Sequence, residues 1–264
     1  MDIIRAHAVN NLCYIRGRKM TPKGIVVHST GANNPNLKRY VDCEEEVGKN
    51  IHGNHWNNPT PENHKVCVHA FIGYDKNQNV RVAEILPLDI CCWGVGSGSK
   101  GSYNYNPPHI QFEICEDGRT DEEYYRKAFG LAVEYCAYLC RKFGLTEKQI
   151  VSHKEAHALG YGCNHADPDH WMKNFGENMD DFRRRVATLL ENSPEEPKEP
   201  YLVKITANAL NIRKGAGTNT KIVGCIKDHG VYTIVDEKTG PGASRWGKLK
   251  SGAGWISLDY VRKL

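Results

Sequence analysis

No stretch of this chain approaches the roughly 18 consecutive apolar residues that a helix needs to cross a bilayer, which excludes a helical membrane protein. The opening residues, MDIIRAHAVNNLCYIRGRKM, lack the apolar segment of a secretory signal, so synthesis in the cytoplasm without a signal peptide is expected. The 10 cysteines have no regular spacing, which argues against a disulfide framework and for a reduced chain. Cys136 and Cys140, four apart on an expected helix, read as core residues. Internal repeats are lacking, and so is a strong charge of one sign: 35 Lys+Arg against 31 Asp+Glu leave +4. What remains is an ordinary globular mixture, 40% hydrophobic and 25% charged. At 264 residues it is long enough for one substantial core and a small second domain.

The charge is unevenly placed. Residues 201–264 hold 11 Lys/Arg against 4 Asp/Glu, a balance of +7, whereas the first 200 residues hold 24 against 27. A basic tail on a slightly acidic body suggests a polyanionic partner, either nucleic acid or an anionic cell surface. The boundary is the stretch ENSPEEPKEPY, 191–201, whose prolines and glutamates cannot bury apolar surface and read as a stiff linker.

Before the linker, strands and helices alternate. KGIVVHST is a short branched run that delivers His28 at the end of a buried strand. KVCVHAFIGYD and VRVAEILP form a strand pair around the turn KNQN. In HIQFEICED, His109, Gln111 and Glu113 alternate with Ile110, Phe112 and Ile114, which puts Glu113 on the polar face of a strand. Thr120 and Glu123 have capping-box spacing and open a helix whose apolar face runs from Phe129 through Val133, Cys136 and Cys140 to Phe143, stopping at Gly144. QIVSHKEAH reads as a strand presenting His153, and DDFRRRVATLLE as a helix packing Phe182, Val186, Leu189 and Leu190. The order predicts an α/β domain with one central mixed sheet flanked by helices. After the linker, six short strands separated by Gly-rich turns predict a small all-β barrel.

On strand-end position alone, His28 and His153 are two histidines in turns or two ligands at a cleft. The loop GCNHADPDHW adds Cys163, His165, Asp167, Asp169 and His170 within a few positions. IVVHST, IQFEICED and SHKEAHALGYGCNHADPDHW, in that order, resemble the zinc-dependent N-acetylmuramoyl-L-alanine amidases of the type 2 amidase family over about residues 20–190. The last motif resembles those of phage endolysins, and the family is related to the peptidoglycan recognition proteins. ALNIRKGAGTNTKIVGCI and GWISLDYV resemble a bacterial Src-homology-3-like cell-wall-binding domain.

The resemblance implies a catalytic zinc amidase domain over 1–190, a Pro/Glu-rich linker over 191–200 and a wall-binding domain over 201–264. It implies Zn2+ held by His28, His153 and Asp167, with Cys163 as the rival third ligand. It gives Glu113 the role of proton-transfer residue and His165, in place of the family's usual lysine, that of oxyanion stabiliser. Trp93 and His69 are the candidates for substrate contact. Related enzymes often have Trp-His-Ala-Gly where this chain has CWGVG, so Gly94 stands in the place of a histidine. The implied partners are bacterial peptidoglycan and, through the tail, cell-wall polymers, with neither nucleic acid nor membrane. Action on the wall after release, as by an endolysin, is the matching localisation. The alternatives are a binding-only recognition protein, which typically lacks a complete zinc set, and a cell-wall cysteine peptidase, whose nucleophile pattern is not found.

Overall fold

The computed structural model describes residues 1–58, 66–118, 120–192 and 200–264. It divides the chain into two units, 1–192 and 193–264. Most of the expected linker, 193–199, lies outside the described residues.

The first unit is built on six strands: β1 (Ile3–Arg5), β2 (Ile25–Ser29), β3 (Ala70–Tyr74), β4 (Val80–Glu84), β5 (Ile110–Ile114) and β6 (Ile150–Ser152). Their order across the sheet is β1-β4-β3-β5-β2-β6, and only the β3–β4 hairpin is antiparallel. Among the described residues, its α-helices are α1 (Leu12–Arg16), α2 (Glu44–Val47), α3 (Glu122–Phe143), α4 (His153–Leu159), α5 (Asp169–Met172) and α6 (Met179–Asn192). This is the expected α/β architecture with a central mixed sheet.

Helix α3 begins one residue later than the capping pattern suggests. Asp121 is the N-cap, accepting the amide of Tyr124 at 3.0 Å, and Gly144 ends the helix at φ 65°, a conformation that favours glycine. Its buried face joins Ile25, Ile110, Phe112 and Ile114 of the sheet with Phe182 and Val186 of α6 in one core. Leu190 packs at the edge of this core, but Leu189 is exposed at 37%, contrary to its expected place. In β5, Ile110, Phe112 and Ile114 supply the face under α3, so Gln111 and Glu113 fall on the other.

One element differs in kind. QIVSHKEAH does not run on as a strand: β6 stops at Ser152 and α4 starts at His153. Ser152 Oγ accepts the Glu155 amide and a Glu155 carboxylate oxygen accepts the Ser152 amide, each at 3.0 Å. This reciprocal cap contributes about 1 kcal/mol and turns the chain at that point.

The second unit is entirely antiparallel. Strands β7 (Tyr201–Ile205), β8 (Leu210–Arg213), β9 (Ile222–Ile226), β10 (Val231–Gly240), β11 (Ala243–Leu249), β12 (Trp255–Ser257) and β13 (Val261–Lys263) lie in the order β13-β7-β10-β11-β12-β8-β9. The expected final strand is two, because Ser257 Oγ accepts the Asp259 amide and the chain turns through Leu258–Tyr260. Val203, Ile205, Leu210, Ile226, Ile234, Leu249 and Ile256 fill its core.

Candidate metal centre and its cleft

Parallel pairing assembles the site. The register of β2 against β5 sets His28 beside Glu113, and β6, on the other side of β2, hands the chain to His153 at the first position of α4. All three residues thus stand at the carboxyl ends of parallel strands, where crevices form in sheets of this type. The third partner comes from the loop before α5. The carbonyl of Asp167 accepts the amide of Lys154 at 3.3 Å, which ties that loop to the first turn of α4.

His28, His153 and Asp167 are all buried, and one donor atom from each lies within 4.8 Å of the others. His28 Nδ1 is 3.1 Å from Asp167 Oδ2, and His153 Nδ1 is 3.3 Å from Asp167 Oδ1. Nitrogen and oxygen ligands at about 2.05 Å from a tetrahedral ion stand roughly 3.3–3.4 Å apart, so the group can hold a metal ion with little movement. Burial alone would raise the pKa of Asp167, but the hydrogen bonds and charge of His153 and His28 outweigh it and hold the carboxyl well below its ordinary value. The carboxylate is therefore ionised and ready to ligate.

The orientation of His28 is fixed from behind by two residues without a role in the sequence-based assignment. The Val95 amide donates to Asn104 Oδ1 at 3.2 Å, and Gln111 Nε2 donates to the same oxygen at 2.8 Å. Gln111 Oε1 then faces His28 Nε2 at 3.2 Å and can only accept from it. When the ring is neutral, as a metal ligand must be, the network keeps its one proton on Nε2 and leaves the Nδ1 lone pair directed at the Asp167 side. Gln111 was visible as a neighbour of Glu113 on one strand face. Asn104, in a loop, gave no signal. The same amide accounts for Gly94: a Cβ there would lie 2.5 Å from Gln111 Oε1, so a side chain would displace it.

His28, His153 and Asp167 line a cleft of about 490 Å3, together with Trp93, Tyr105, Glu113, Cys163 and His165. Glu113 is partly exposed as a residue, yet its Oε2 is enclosed and has no hydrogen-bond partner. Burial, with the nearby Asp167 and Glu116 carboxyls adding to it, pushes its pKa well above the ordinary value. His165 is exposed and lies face to face with His153, ring centres 4.4 Å apart. Cys163 also reaches the cleft, with its thiol pKa raised by burial. Trp93 forms part of the wall, with the Arg16 guanidinium 4.8 Å from its ring centre.

His69 is a correction. It is wholly buried and is not among the residues lining the cleft. The Gln111 amide donates to its Nδ1 at 3.0 Å, and Nε2 faces the Ile90 carbonyl at 2.9 Å. Burial lowers its pKa to about 4, so it is a neutral link between β5 and the loop at Ile90 rather than a substrate contact.

Comparison with known proteins agrees with this architecture. The sequence profile of the N-acetylmuramoyl-L-alanine amidase family (Amidase_2) matches residues 18–170, more than half of the chain. No curated protein matches it. Among solved structures, a mutant of PlyL superposes with a TM-score of 0.50 at 21% identity, over 70% of this chain and 98% of that one. The hydrolase AmiA of Staphylococcus aureus, in complex with its ligand, gives 0.49 at 22% identity over 72% and 83% of the two chains. A mutant endolysin from Bacillus subtilis gives 0.48 at 20% identity over 70% and 99%. The likeness to PlyL is one of fold.

Proposed function

Because the chain belongs to the Amidase_2 family of N-acetylmuramoyl-L-alanine amidases, we propose that it hydrolyses the amide between N-acetylmuramic acid and L-alanine in bacterial peptidoglycan, with zinc held by His28, His153 and Asp167. The observation that carries this reading is the convergence of those three donors beside an enclosed, unpartnered Glu113 carboxyl in an open cleft. Three protein ligands leave a position free, as catalytic rather than structural zinc sites do. Zinc in such a set supplies Lewis acidity, lowering the pKa of a water toward about 7 and polarising a carbonyl.

The protein's own groups supply the rest. Glu113, made more basic by its burial, takes the proton from the attacking water and passes it to the leaving nitrogen. His165 donates a hydrogen bond to the oxygen on which charge develops. Trp93 offers an apolar wall to the substrate. Gln111 and Asn104 keep the His28 lone pair in place. Residues 201–264 of the second unit, with their +7 balance, hold wall polymers and bring the site to an insoluble substrate, while the protein is released to the wall after synthesis in the cytoplasm.

The test is to digest purified cell walls with and without a chelator and to identify the new ends. Free L-alanine amino groups with muramoyl carboxyl groups, abolished by chelation and restored by zinc, are expected. New reducing sugars or internal peptide ends instead would overturn the reading, and binding without any new ends would mark a recognition protein.

A further inference from the structure

A second set of donors adjoins the first, and the hydrolysis as proposed does not use it as a ligand set. Cys163 Sγ lies 3.5 Å from His153 Nε2 and 3.2 Å from His165 Nδ1, and the three residues each place one donor atom within 4.8 Å of the others. Sulfur at about 2.3 Å and nitrogen at about 2.05 Å from a tetrahedral ion stand roughly 3.6 Å apart, close to the separations seen. We propose that His153, Cys163 and His165 form an alternative, thiolate-containing position for a soft divalent cation, which competes with the His28–His153–Asp167 position for one shared imidazole.

The competition follows from the ring. His153 turns Nδ1 to Asp167 and Nε2 to Cys163, and a neutral imidazole has a lone pair on only one nitrogen. An ion on the Cys163 side therefore takes His153 from the first group and engages His165 as well. Cysteine binds as the thiolate, its proton going to water, and thiolate with imidazole selects zinc or cadmium over magnesium or calcium. Access is direct, since Cys163 and His165 both line the cleft and His165 is exposed. The sulfur packs against Gly96, where a Cβ would come within 2.6 Å of it.

The site itself stands without the proposed function; only its effect on hydrolysis rests on that reading. The experiment is a cadmium titration of the full-length, metal-stripped protein, read by thiolate-to-cadmium charge-transfer absorption. A saturable band is expected, lost in Cys163→Ser and shifted to higher cadmium in His165→Ala by more than the roughly tenfold that even an outer partner of a metal ligand contributes. Excess cadmium should also stop wall hydrolysis, and Cys163→Ser, measured against its own uninhibited rate, should resist it by at least about tenfold. An undiminished band in Cys163→Ser, or none in wild-type protein whose circular dichroism shows it folded, overturns the proposal. A band that behaves as expected in a protein that never cuts walls upholds the site and refutes the amidase reading instead.

Discussion

The two units treat polar groups in opposite ways. Among the described residues, the buried polar side chains of the first unit include His28, Gln111, Asn104, Ser152, His153 and Asp167, whereas in the second unit only Ser257 is buried. Burying polar groups costs free energy unless each finds a partner, so a cluster of them marks a place where the fold serves chemistry. The second unit has an apolar core and carries its charge outside. It is built to present a surface; the first is built to hold an interior.

The sharpest way to break that comparison is to remove an internal ligand. His28→Ala or His153→Ala should abolish hydrolysis and leave well under one zinc per chain by elemental analysis. Thermal unfolding in zinc buffer should fall as well, because bound metal favours the folded state. Full activity in metal-free wild-type protein would show that the buried cluster is structural.

Glu113→Gln comes next. It should retain zinc while turnover falls by roughly two to four powers of ten, as expected on loss of a general base. Its effect on stability should carry the opposite sign. In the folded, metal-free protein the Glu113 pKa is raised by burial, so its contribution to stability is fully present at low pH and is lost as pH rises through the folded value. With chelator present, Glu113→Gln should therefore melt above wild type at neutral pH, and the advantage should vanish on acidification through the ordinary carboxylate range. A mutant less stable than wild type at neutral pH would contradict the buried, unpaired carboxyl.

A smaller effect is expected behind the ligands. Gln111→Leu removes the acceptor for His28 Nε2 and should weaken zinc by roughly 10–100-fold in chelator competition. Unchanged affinity would mean that His28 needs no outside orientation.

The smallest effect should come from deleting the second unit. A chain ending near Glu191 should cleave small soluble muropeptides at nearly the full rate and intact walls more slowly, since the tail raises local concentration at the polymer. Residues 201–264 alone should sediment with walls, less so as salt screens charge over about 10 Å at 0.1 M. Failure to sediment at low salt would reduce the basic balance to a solubility feature.

Much of this arrangement is legible in the sequence because the chemistry sits at the ends of short branched runs. IVVHST and IQFEICED announce buried strands, and whatever follows or alternates with the branched residues must face a sheet edge or the opposite face. The Ser152–Glu155 spacing is that of a capping box, but the branched residues of QIVS carry the stronger strand signal and mask the helix that starts at His153. Asn104 could not be found this way, because its contact with Gln111 depends on how a loop folds over β5. His69 misled for the reverse reason: polar character marks a residue for a site, but here two backbone groups satisfy the ring inside the core.

One feature of the sheet reaches beyond the cleft. β6 is three residues long, lies at the sheet's edge and pairs only with β2, while β2 itself is flanked on both sides. An ion shared by His28 and His153 therefore rivets this short edge strand to its better-anchored neighbour. Short edge elements open first in native-state fluctuations. Amide exchange at Ile150–Ser152 should consequently slow on zinc binding far more than at β3 or β5, so that the metal sets how long the edge stays closed.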